Sequence, residues 1–191
     1  ANDLTLLALK EIFGPSEVIV PALTWVSDIA SVLNSGHTPI FVDINESTFL
    51  IDENLIEQAI TPNTKAIAPI HLFGQVANME VILETAKRHN LYVIEDAAQA
   101  PGVYYKNKPI GTIGDIGGFS LNFHKHIHTV EGGLLVTNDD DIALRSQLIR
   151  NHGENATEAY GVTDISNTIG SNYRFTEIQA AIGYEQFKKL Q

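Results

Sequence analysis

The sequence predicts an α/β protein in which a largely parallel sheet is covered by helices on both faces. Three observations predict it. Strand-like and helix-like stretches alternate from Leu4 to Asp96. The strand-like runs are short and apolar throughout, as strands buried on two faces are. Residues able to do chemistry gather just after those runs, and ligands of parallel sheets bind at the carboxyl ends of strands.

The elements follow in order. Leu4, Leu7, Ala8 and the Ile12-Phe13 pair form a helical stripe that stops at Gly14-Pro15. Glu17–Val20 is a buried strand ended by Pro21, and Thr24-Trp25 open a helix that runs through Leu33 to Asn34-Ser35-Gly36. Pro39–Ile44 is a second strand, with Asp43 near its end. Asp52 caps a helix carrying Leu55, Ile56 and Ile60. Lys65–Ile70 is a third strand running into His71-Leu72-Phe73-Gly74. Asn78 caps a helix with Met79, Ile82, Leu83 and Ala86 on one face, ended at Asn90. Leu91–Glu95 is a fourth strand and ends in Asp96. Val103–Tyr105 and Lys108–Ile110 form a small hairpin about Lys106-Asn107. Gly117–Leu121 and Leu134–Thr137 are two more strands. Asp139–Asn151 is a helix with acids first and Arg145 and Arg150 later, as the helix dipole favours. Residues 152–172 read as a loop, and Thr176 begins a last helix with Ile178, Ala181 and Ile182.

Bulk properties narrow the function. The 191 residues suffice for one sizeable core, and 44% hydrophobic with 18% charged residues is an ordinary globular composition. A net charge of −11 argues against a nucleic-acid or anionic-membrane surface. With no cysteine, disulfides, thiolate metal sites and cysteine nucleophiles are excluded. No apolar run reaches the roughly 18 residues of a membrane span, and no secretory signal opens the chain. A cytoplasmic protein is expected. The chain starts without Met inside one helix and ends inside another, so an internal piece of a longer protein is expected as well.

The stretch 91–133 holds the chemistry: Asp96 at a strand end, Ser120 after a Gly pair, and Lys125 five residues on. These three groups match the needs of pyridoxal 5'-phosphate. An amine bonds to the aldehyde, a carboxylate keeps the pyridine nitrogen protonated, and a hydroxyl with free backbone N–H groups holds the phosphate. Each has a plainer reading: a turn-capping acid, a small strand residue, a solvated surface charge. A ribose-binding acid at position 96 would need a G-x-G-x-x-G turn upstream, and residues 66–90 contain only Gly74. His71, at another strand end, reads either as a substrate contact or as a hydrogen-bonded structural histidine. His124, His126 and His128 would share one face of a strand and could begin a metal site, though no further cluster at ligand spacing completes it.

Several blocks carry a resemblance to a known family. They are PALTWVS (21–27), PIHLFGQ (69–75), VIEDAAQA (93–100), GDIGGFSLNFHKHIHTVEGG (114–133), RNHGE (150–154) and GSNYRFTEIQAAIG (170–183). Together, in this order, they resemble the DegT/DnrJ/EryC1/StrS sugar aminotransferases, which are fold-type I pyridoxal-phosphate enzymes. The resemblance implies a three-layer α/β/α fold with a mostly parallel mixed sheet. Residues 1–191 would be part of the cofactor-binding large domain, with an N-terminal segment and a C-terminal small domain outside them. It implies Lys125 as the cofactor-bound lysine, six residues before Glu131, and Asp96 as the pyridinium partner. Trp25 would be the plate on the pyridine ring, Gln99 the partner of the ring oxygen, and Ser120 a phosphate ligand. Asn172 would reach the phosphate held by a partner subunit, which implies a homodimer with shared sites. The implied reaction transfers an amino group, with glutamate the expected donor, to a keto sugar on a nucleotide. Some members with histidine at the lysine position are dehydratases; here lysine is in register, with His124 and His126 beside it. A non-catalytic relative is a further alternative. Val130 departs from the pattern, standing where the family usually has glycine.

Overall fold

The structure, a computed structural model, describes residues 1–154 and 168–190. Among the described residues there are eight strands: β1 (Glu17–Pro21), β2 (Thr38–Val42), β3 (Thr64–Ile67), β4 (Tyr92–Asp96), β5 (Tyr104–Tyr105), β6 (Lys108–Pro109), β7 (Ile116–Ser120) and β8 (Gly133–Thr137). The helices are α1 (Asn2–Phe13), α2 (Val26–Asn34), α3 (Glu53–Ile56), α4 (Met79–His89), α5 (Asp140–Arg150) and α6 (Glu177–Phe187). Six strands form one sheet in the order β2-β1-β3-β4-β7-β8, and β5 and β6 pair as the expected hairpin.

The sheet is parallel from β2 to β7, and only β8 runs antiparallel, against β7. Side-chain alternation divides the core into two layers. Val18, Val20, Ala66 and Ile94 point to one face and pack with Leu6 and Leu9 of α1, Val32 of α2 and Ile142 of α5. Ile19, Ile67 and Val93 point to the other and meet Ile56 of α3 with Met79, Ile82 and Ala86 of α4. This is the three-layer mixed arrangement, and it explains the unbroken apolar strands.

Local chemistry sets the helix ends. Asp52 accepts from the Asn54 N–H, Asp139 from Asp141 and Ile142, and Thr176 forms a reciprocal capping box with Gln179. Asn78 stands at the N-cap of α4 but does not cap it. Its amide instead donates to Glu53 Oε1 at 2.7 Å and so joins α4 to α3. Residues 155–167 of the expected loop lie outside the described residues.

The connection between β7 and β8 is a set of turns, not a continuation of strand. The alternation that would have placed His124, His126 and His128 on one face is therefore absent, and the His124 ring lies against Phe123 with centroids 3.7 Å apart. Among the described residues no group of three potential metal ligands converges. Among them, too, no helix is long and apolar enough to cross a membrane.

Candidate cofactor site

A cavity of about 300 Å³ opens at the carboxyl ends of β4 and β7. The strand order puts those ends side by side, Asp96 opposite Gly118 in register. The cavity is lined by Asp96, Gln99, Ser120 and Lys125, by Trp25 and Asp28 at the start of α2, and by Asn2 at the start of α1. Five residues proposed from sequence on separate elements thus meet in one place.

Each is held differently. Asp96 accepts the Ala98 N–H on Oδ1 at 2.8 Å and the Asn2 amide on Oδ2 at 2.8 Å. Gln99 follows three residues later, and its Oε1 accepts the Phe73 N–H at 2.9 Å. Its Nε2 is the donor end of that amide. Ser120 closes β7 and its hydroxyl accepts the Asn122 N–H at 3.3 Å. Trp25 is the N-cap of α2 and 70% exposed, so its ring is presented rather than packed away.

Lys125 sits on a turn built around Asn122. The Lys125 N–H donates to Asn122 O at 2.9 Å, and the His124 N–H to Asn122 Oδ1 at 3.1 Å. The Asn122 amide nitrogen reaches both oxygens of Glu131, at 2.8 and 3.0 Å. No ion pair among the described residues engages Lys125. The six-residue spacing of Lys125 and Glu131 therefore has a physical counterpart: Asn122 and Glu131 clamp the two ends of the turn that carries the amine. Val130, inside that turn, has φ +69°, a left-handed conformation that a β-branched residue adopts only under strain.

Two proposed residues lie elsewhere. His71 is fully buried, with Nε2 3.0 Å from Glu95 Oε2 and Nδ1 accepting the Ala77 N–H at 3.3 Å. Both ring nitrogens are engaged inside the protein and the ring does not line the cavity, so the geometry favours the structural reading over substrate contact. Asn172 is exposed and its Oδ1 accepts the Arg174 N–H at 3.3 Å, away from the cavity of this chain.

Sequence reasoning missed two acids. Glu95 points away from the cavity and accepts from His71 and from the N–H groups of Gly111, Ile113 and Gly114, at 2.7–3.0 Å. Burial pushes its carboxyl up, but these four donors outweigh burial and hold it below the usual carboxylate range. Asp28 is nearly buried and shares the Asn2 amide nitrogen with Asp96, with Asp28 Oδ1 at 2.7 Å. The Thr24 hydroxyl also donates to it. Burial, reinforced by the neighbouring Asp96 charge, pushes the Asp28 carboxyl up to about 8. The available signal was its place on the helix, one turn before buried Val32 and so on the inward face.

Comparison with known proteins agrees with this architecture. The DegT/DnrJ/EryC1/StrS aminotransferase family matches residues 1–191. The chain belongs to that family. GDP-perosamine synthase of Caulobacter vibrioides is 47% identical over 191 residues, covering 100% of this chain and 50% of that protein. GDP-perosamine synthase of Escherichia coli O157:H7 is 45% identical, covering 99% of the chain and 50% of that protein. An aminotransferase structure from Psychrobacter cryohalolentis superposes with a TM-score of 0.90 at 38% identity, over 98% of this chain and 49% of that one. The E. coli GDP-4-keto-6-deoxy-D-mannose-3-dehydratase with bound hydrated PLP superposes at 0.87 and 32% identity, over 99% and 53%. The chain thus spans about half the length of the curated relatives it matches. An aminotransferase and a dehydratase thus both share its fold.

Proposed function

We propose that residues 1–191 form the cofactor-binding large domain of a pyridoxal-phosphate-dependent aminotransferase that acts on a nucleotide-linked keto sugar. The carrying observation is the meeting of Lys125, Asp96, Ser120 and Trp25 on one cavity at the strand ends. That donor set fits the cofactor: an unpaired amine, a fixed carboxylate, a hydroxyl at a strand terminus and an exposed aromatic face. When bound, pyridoxal phosphate supplies an electron sink and a carbonyl that carries the amino group.

The chain supplies the rest. Lys125 Nζ would hold the cofactor covalently and, when free, would take up and return a proton at its own nitrogen. Asp96, its carboxylate oriented by the Asn2 amide and the Ala98 N–H, would keep a proton on the ring nitrogen. Trp25 would cover the ring, the Gln99 amide would donate to the ring oxygen and the Ser120 hydroxyl would donate to the phosphate. Asn172, remote from its own cavity, serves a partner subunit in a homodimer, and exposed Ile178, Tyr184 and Phe187 on α6 support an association surface. Glutamate is the donor, the GDP-perosamine synthases favour a GDP-linked sugar as acceptor, and the setting is cytoplasmic.

A dehydratase is the second reading, favoured by the fold shared with the E. coli enzyme. Lys125 lines the cavity while His124 and His126 do not, which supports amine chemistry. The test adds pyridoxal phosphate to the full-length protein, then glutamate. A visible absorbance band that glutamate converts to the pyridoxamine spectrum supports transamination. A band that no amino donor changes points to a relative that binds the cofactor without catalysis, and the product formed from a nucleotide-linked keto sugar, aminated or dehydrated, separates the two readings. Absence of any band overturns the cofactor assignment.

A further inference from the structure

Two carboxyl groups, Asp28 and Asp96, meet on the cavity, and no ion pair among the described residues engages either. The Asn2 amide nitrogen donates to Asp28 Oδ1 at 2.7 Å and to Asp96 Oδ2 at 2.8 Å, so the two acids come together around one donor. Behind Asp28 the wall is apolar, formed by Val20, Ala68 and Ile94. The other titratable side chains on the cavity are Asp3 of α1 and Lys125 of the β7–β8 turn. Like charges this close and this dry do not both ionise. Asp96 has the better anion site, with a backbone N–H on Oδ1 and Asn2 on Oδ2. Asp28 has only side-chain donors, Asn2 and Thr24, and greater burial.

We propose that Asp28 is a proton store for the cofactor site, keeping the pair at one negative charge when the site is free and giving up its proton when a cationic ring binds against Asp96. The inference rests on the cofactor reading above. The positive ring cancels the Asp96 charge that Asp28 faces, which removes one of the causes, after burial, that push its carboxyl up to about 8. In that step the Asp28 O–H bond breaks and the residue ends as a carboxylate. The proton leaves to solvent if the ring nitrogen arrives protonated, and ends on that nitrogen if it does not. Either way, binding releases more protons, or takes up fewer, than it would without Asp28.

The experiment titrates pyridoxal phosphate into ligand-free full-length protein near neutral pH, by calorimetry in buffers of different ionisation heat. Proton counts are compared for the native protein and Asp28→Asn, with Asp28→Ser as a second neutral variant should Asn not fold. The native protein is expected to release about half a proton or more beyond either variant. Equal counts overturn the release step. Absence of binding by all three overturns the cofactor reading and the release step with it. A separate readout needs no cofactor: melting temperature against pH. An acid raised from 3.8 to about 8 by folding stabilises most below the lower value and loses that contribution as pH rises towards the higher. The native protein should lose stability relative to Asp28→Asn across that window. Parallel curves overturn the proton store itself.

Discussion

His71 Nε2 and Glu95 Oε2 lie 3.0 Å apart, and neither side chain is exposed. The pair ties the end of β3 to β4, and the same carboxylate collects three backbone N–H groups from residues 111–114, just before β7. It therefore holds the two strands whose ends build the cavity, from the face opposite the cofactor site.

Replacing Glu95 with Gln puts an amide N–H where only donors point. Breaking a buried, fully used carboxylate costs about 3–5 kcal/mol. Because folding holds the Glu95 carboxyl below its ordinary value of 4.5, its contribution is present above that value and is lost as pH falls through the lower, folded one. Urea denaturation should show a large gap between native protein and Glu95→Gln at neutral pH. The gap should narrow in acid.

Val130→Gly should stabilise the protein by about 1 kcal/mol, since an L-residue in the left-handed region carries a penalty of roughly 1–2 kcal/mol, offset in part by glycine's chain entropy. Val130 is 59% exposed, so little packing is lost. A rise in melting temperature with unchanged cofactor affinity is the expected result; a fall would show that the strained turn is held by contacts of the valine side chain.

Gly117→Ala should do the opposite. A Cβ at this position would stand 1.9 Å from the Gly111 carbonyl oxygen, which is backbone and cannot swing aside. Forced separation of β7 from residue 111 should cost about 3 kcal/mol. Weakened cofactor binding should accompany it, because Ser120 lies on the same strand. Denaturant midpoints and cofactor titration check both parts.

Lys125→Ala should abolish the visible cofactor band and lower transamination by about 10³-fold or more, while the melting temperature of the ligand-free protein stays close to native. The amine makes no ion pair among the described residues, so its removal leaves no buried charge unpaired. A retained band would place the covalent link on another lysine.

What the chain declares by itself is local. Apolar runs broken by Gly, Pro and capping residues dictate the alternating strands and helices, and alternation dictates a parallel sheet with its site at the strand ends. Asp96, Ser120 and Lys125 could be singled out as candidates by residue type and by their place after strands, Trp25 and Gln99 only through the family resemblance, and the fold brings all five onto one cavity. Tertiary structure decided whatever depends on residues far apart in the chain. His71 reads as a candidate ligand until β4 brings Glu95 against it. The HKHIH run reads as one face of a strand until Asn122 and Glu131 fold it into a turn. Asp28 reads as an ordinary first-turn acid until the packing of α1 and α2 on the sheet carries Asn2 between it and Asp96. The reason is physical: periodicity and capping act over a few residues, whereas the ionisation of a carboxyl is governed by whichever charges and walls the fold places within a few ångströms of it.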